Sequence, residues 1–197
     1  MAFLKSLPAD AGLLRVFQAF PGTARPLIDY HEVLMRGDSP FTTGERELIA
    51  AYVSGLNACQ YCHGVHTQTA VALGVDQQLV SDLLNDPSSE AVDERLRPVL
   101  AFVRKLTLTP SKIAQSDADV VFAAGWDDRA LHDAVSVCAL FNFMNRLVDG
   151  LGIVGARGYM SFAAQRLAQG GYAQLKGVIA GSADASGVSA DGLTRAE

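Results

Sequence analysis

The feature that most constrains this chain is the period of its apolar residues. They recur at helical spacing along nearly the whole length, as in Leu13, Leu14, Phe17 and Phe20, or Leu27, Ile28, Val33 and Leu34. Runs that alternate apolar with polar residues and are rich in Val, Ile and Thr are nearly absent. A chain patterned this way buries its apolar stripes by packing helix on helix, so the expected fold class is all-α. Its 197 residues suffice for one domain with a sizeable core and are few for two.

Start and stop signals divide the pattern into segments. The second apolar stripe should end near Gly37. Thr42 followed three residues later by Glu45 is a capping-box pattern, which predicts a helix running through Leu48, Ile49 and Val53. Gly55, Leu56 and Asn57 then interrupt it. Asn57 is a favourable N-cap, so the next helix is expected to begin at Ala58 and stop near Gly74. Later helices are expected around 77–84, 95–106, 117–124, 128–151 and 156–168, with Pro87, Pro110 and Gly125 as breakers between them. After about Tyr172 the composition turns to Gly, Ala, Ser and Asp, which reads as a mobile tail. The expected organisation is one helical domain over 1–171 and a tail over 172–197.

Charge and hydropathy exclude several classes. A net charge of -5 and no Lys/Arg cluster leave no electrostatic footprint for nucleic acid. No apolar run reaches the roughly 18 residues of a membrane span, and Pro8 and Asp10 spoil the amino terminus as a signal peptide. The expected location is therefore the cytoplasm. Hydrophobic residues make up 49% of the chain and charged residues only 19%, a surplus that suggests a subunit interface in a homo-oligomer. Three cysteines in a reducing compartment are not a disulfide scaffold, so a close pair is better explained by chemistry.

That pair is Cys59 and Cys62, with His66 one turn later. At about 100° per residue the three side chains share one helical face. A thiol in the first turn of a helix lies among unpaired N–H groups and the positive end of the dipole, which depress its pKa. His66 stands at i+4 from Cys62, within reach of its proton. Glu47 lies on the preceding helix, which must fold back over the pair if the Gly55–Asn57 break is sharp, and its carboxylate could then orient His66. Gly64 costs this helix roughly 1 kcal/mol relative to alanine and suggests close approach of another group.

Glu47, Cys59-x-x-Cys62 and His66 together resemble the core pattern of the alkylhydroperoxidase D (AhpD)-like family, within the carboxymuconolactone decarboxylase-like superfamily. A later Phe141-Asn142-Phe143-Met144-Asn145-Arg146 stretch is similar to the peroxidase-related branch. The resemblance covers roughly residues 40–155. It implies an all-helical bundle with the cysteine pair at the start of a central helix, assembly into a homo-oligomer, and thiol-dependent reduction of hydrogen peroxide or organic hydroperoxides without a cofactor. By the family pattern Cys62 attacks the peroxide, Cys59 resolves, Glu47 and His66 relay the proton, and an external dithiol reductant completes the cycle. One departure is Tyr61, where the best-known members carry histidine. Two alternatives are a non-peroxidatic redox sensor or disulfide-exchange protein, and a decarboxylase, although family decarboxylases generally lack the cysteine pair.

Other readings of the same residues are weaker. Two cysteines can be small buried hydrophobes. Cys59, Cys62, His63 and His66 crowd too closely on one helix for good tetrahedral metal geometry. Cys59-Gln-Tyr-Cys62-His63 spells the c-type haem attachment pattern, but such attachment usually follows export. A thioredoxin-like fold needs strands around its dithiol. His63 points away from the pair, His31 and His132 read as structural or surface residues, Cys138 reads as core, and Asn142, Asn145 and Arg146 as one helix face engaged in packing.

Overall fold

In the computed structural model the structure describes residues 1–86, 91–155 and 157–183, and among these every regular element is helical. In chain order these are α1 (Leu13–Ala19), α2 (Pro21–Arg36), α3 (Thr43–Leu56), α4 (Gln60–Ala72), α5 (Gln77–Asn85), α6 (Leu96–Leu108), a 3-10 turn at Pro110–Lys112, α7 (Gln115–Ala123), α8 (Asp128–Gly150), α9 (Arg157–Gly170) and α10 (Gln174–Ala183).

The centre is α3, in which every residue from Arg46 to Ser54 is buried. A helix without a wet face must be enclosed on all sides, and α2, α4, α5, α6 and α8 enclose this one. The expected capping box starts it. The Thr42 hydroxyl accepts from the Glu45 N–H at 3.2 Å, and the Glu45 carboxylate accepts from the Thr42 N–H at 2.7 Å. The charge buried at Arg46 is explained by its partners: its guanidinium donates to the carbonyls of Leu34 and Gly37 at 2.8 and 2.9 Å, which are free acceptors at the end of α2.

The turn from α3 to α4 corrects one expectation. Asn57 caps the end of α3 and does not start α4. The Ala58 N–H donates to Gly55 O at 2.9 Å and the Cys59 N–H to Ser54 O at 3.0 Å, the paired bonds of a Schellman motif. The motif requires a left-handed residue, supplied by Ala58 at φ 56°. The chain reverses within three residues, and Cys59 itself becomes the N-cap of α4. Asn57 instead sends its side-chain amide to the oxygens of Asn142 and Asn145 on α8, at 3.1 and 2.9 Å.

α9 packs on α4 at Gly64, where a Cβ would lie 2.6 Å from the Met160 sulfur, so the glycine admits a neighbouring helix. The start expected for α9 at Ala156, the breaker Pro87 and tail residues 184–197 lie outside the described residues. The remainder of the expected tail is corrected. Residues 174–183 form α10, Ile179 is fully buried, and Tyr172 is buried at the turn that precedes it. Small residues there reflect tight packing against α1 and α2. No helix among the described residues is long and apolar enough to cross a membrane.

Candidate functional site

Glu47 is fully buried in the middle of α3, where an unpaired carboxylate would be very unfavourable. Three donors satisfy it. One oxygen accepts from His66 Nδ1 on α4 at 2.6 Å; the other accepts from Arg36 Nη2 on α2 at 2.7 Å and from the Tyr172 hydroxyl at 2.9 Å. Burial pushes the Glu47 carboxyl up, but His66 and Arg36 outweigh it and hold the group below the ordinary carboxylate range. With Nδ1 turned to the Glu47 carboxylate, Nε2 is the ring nitrogen left to exchange a proton. The ring is fixed edge-on to Phe141, with centroids 4.4 Å apart.

The thiols lie on the same helix and differ in surroundings. Both are buried and unbridged. The Cys62 thiol donates to Cys59, which lowers Cys59 and raises Cys62, and burial pushes Cys62 further up. The side chain of Asn145 bonds Cys62 and favours its charged form. Asn145 is itself held by Ser54 and Asn57, at 3.0 and 2.9 Å. Charge within the pair therefore rests more easily on Cys59 at the N-cap, while access favours Cys62. Cys62 and His66 line a cavity of about 110 Å³, and Cys59 does not.

That cavity is walled mostly by apolar side chains of α1, α4, α8 and α9. Tyr61 is part of the wall and stacks on Tyr159 with ring centroids 6.2 Å apart. Burial pushes its phenol well up, so it stays protonated. Of the residues predicted from sequence, Glu47 and His66 are in contact, Cys59 and Cys62 are in contact, and Cys62 and His66 share a wall.

Three participants were not anticipated. Arg36 and Tyr172 complete the shell of Glu47. His31, expected to be an ordinary structural or surface histidine, lines the same cavity and packs at a tilt against Tyr172, with ring centroids 5.1 Å apart. Its Nδ1–H donates to Leu27 O at 2.7 Å, and burial pushes its pKa down to about 4, so the ring is neutral. Their only sequence signal is chemical: Arg36 is the last residue of a helix, and Tyr172 is a lone aromatic in a small-residue stretch. His63 donates to Ala51 O at 2.9 Å and ties α4 to α3. Cys138 sits in the core 3.3 Å from the Thr107 hydroxyl, and His132 is exposed. Among the described residues no three His, Cys, Asp or Glu side chains converge as metal ligands.

Comparison with known proteins gives a consistent picture. Residues 21–105 match the Carboxymuconolactone decarboxylase family. An uncharacterized peroxidase-related protein from Silicibacter sp. TM1040 superposes with a TM-score of 0.70 at 29% identity, over 75% of this chain and 78% of that one. A second, described as an alkylhydroperoxidase AhpD core and uncharacterized peroxidase-related protein, from Ralstonia eutropha JMP134, gives 0.69 at 22% identity over 76% and 78%; it shares the fold. No protein among those with curated descriptions matches.

Proposed function

Starting from a chain that is an AhpD-like member of the carboxymuconolactone decarboxylase superfamily, we propose that it is a thiol-dependent peroxidase cycling between dithiol and disulfide. The observation that carries this reading is the shared wall: Cys62, half of a reduced pair, and His66, backed by a buried carboxylate, border one apolar cavity.

The steps follow from the positions. The Cys62 proton passes to His66 Nε2, and the developing imidazolium is stabilised by Glu47. The thiolate attacks the terminal oxygen of the hydroperoxide and the O–O bond breaks. The leaving oxygen takes the proton from His66, giving an alcohol, or water from hydrogen peroxide, and a sulfenic acid on Cys62. Cys59 stands at the N-cap three residues before Cys62, so it condenses with the sulfenic acid. The S–S bond forms and water leaves. An external dithiol reduces the disulfide by exchange and is itself oxidised. Cys59 is the better thiolate of the resting pair, yet it is walled off from the cavity, so access assigns the attack to Cys62.

Dimedone trapping tests this directly. Cys59→Ser should react once with peroxide and retain a trappable sulfenic acid on Cys62, whereas Cys62→Ser should not consume peroxide. The opposite labelling reverses the roles. If wild type and both variants are all inert to hydrogen peroxide and to an organic hydroperoxide, the peroxidase reading is lost, and disulfide exchange or sensing takes its place.

A further inference from the structure

The cavity carries one formal charge that the proposed chemistry does not use. Along α9 the residues facing it are Tyr159, Phe162, Ala163, Arg166 and Leu167, the i, i+3, i+4, i+7, i+8 stripe of a single helix face. Tyr159 stacks on Tyr61, the neighbour of Cys62, so this end of the stripe marks the thiol. Arg166 stands two turns further on, about 10 Å along the helix axis. It is half-buried, whereas Cys62 and His66 are buried, which puts the charge toward solvent and the thiol at depth.

The guanidinium of Arg166 is under-used where it stands. Its Nε and Nη2 contacts to the Gln174 side-chain oxygen are both 3.4 Å, and it lies 5.7 Å from the centroid of Phe162. Among the described residues no carboxylate pairs with it. The other basic side chains at or beside the cavity are accounted for: Arg36 is paired with Glu47, His66 bonds Glu47 through Nδ1, and His31 is neutral. An apolar cavity with a thiol at depth and, toward solvent, a guanidinium that no carboxylate among the described residues pairs with is complementary to an amphiphile. Arg is suited to grip a carboxylate with two parallel bonds.

We infer that the site is built for hydroperoxides of medium-chain carboxylic acids, with Arg166 holding the carboxylate and the apolar wall holding the chain. This rests on the peroxidase reading for its chemistry, but the binding determinant can be tested without turnover. Decanoate and methyl decanoate, both redox-inert, serve as binding probes by calorimetry or by competition with a fluorescent fatty acid. Their chains are the same, and only the acid presents an anion. Decanoate should bind more tightly than its ester. Arg166→Gln should weaken decanoate at least about tenfold, the range of a charged hydrogen bond, and leave the ester unchanged, while Arg166→Lys should retain part of the preference. Circular dichroism and a cooperative thermal transition matching those of wild type show that both variants are folded.

The outcomes separate the two claims. Equal binding of acid and ester to wild type, or an acid-to-ester ratio untouched by Arg166→Gln, overturns the carboxylate assignment even if peroxides are reduced. Selective, Arg166-dependent decanoate binding in a protein inert to every hydroperoxide supports the carboxylate site and removes the peroxidase reading.

Discussion

At the scale of single residues, the site depends on a carboxylate whose burial would be untenable without its three donors. Glu47 orients His66, and Tyr172 and Arg36 hold Glu47. Glu47→Gln or His66→Ala should each slow peroxide reduction by about 10² to 10⁴, the usual reach of acid–base catalysis. Tyr172→Phe keeps the ring packed against His31 and deletes only the hydroxyl. With one donor fewer the carboxyl titrates higher, so the acidic limb of the pH–rate profile should move to higher pH, with a smaller loss of rate than in Glu47→Gln. A profile that keeps its acidic limb in place would show that the hydroxyl is structural. Glu47, Cys59, Cys62 and His66 were legible because their spacing is local or falls on adjacent helices. Tyr172 and the His31 ring beside it were not, because a contact across 125 positions leaves no periodic trace, and Arg36 was not, because it reaches Glu47 from a different helix across 11 positions that include a turn.

Helices were legible for the same reason their caps were: both depend on residues a few positions apart. The capping box of α3 and the ends of α2, α6 and α8 fall where the pattern puts them, to within a few residues. The reading of Asn57 as an N-cap failed because two turn solutions competed there, and the Schellman motif won by satisfying both the Ala58 and Cys59 N–H groups. That two-residue shift of the helix start moves Cys59 from the first turn onto the cap itself. The cap of α3 is separable from the chemistry, since Thr42 is exposed and Glu47 lies more than a turn away. Thr42→Ala should therefore lower stability by about 1 kcal/mol in denaturant titration while the folded protein keeps its rate of reaction with peroxide. A loss of turnover with unchanged stability would contradict this separation.

For the molecule as a whole, buried ionisable groups tie stability to acidity. Unfolded, His31 titrates near 6.5; folded, burial lowers this to about 4. Between those values the unfolded chain binds more protons, so stability falls as pH falls from about 6.5 toward about 4, on the order of 3 kcal/mol over the whole window. Glu47, held below its ordinary range, adds stability that is present above that range and lost as pH drops through its folded value. Denaturation of His31→Gln at pH 7 and pH 4.5 should show a flatter pH dependence than wild type; equal slopes would sink the argument. The link from Tyr172 to Glu47 has a further consequence for biosynthesis. The Tyr172 and Ala173 N–H groups are clamped by Glu32 at 2.6 and 2.8 Å, so the last donor arrives with the final quarter of the chain and docks onto its first. A nascent chain that has released only its first hundred residues already displays both cysteines and His66, but Glu47 is short of a partner and α8 and α9 have yet to wall the cavity. The thiols therefore reach the ribosome exit well before α8, α9 and Tyr172, the elements that enclose them and complete the shell of Glu47.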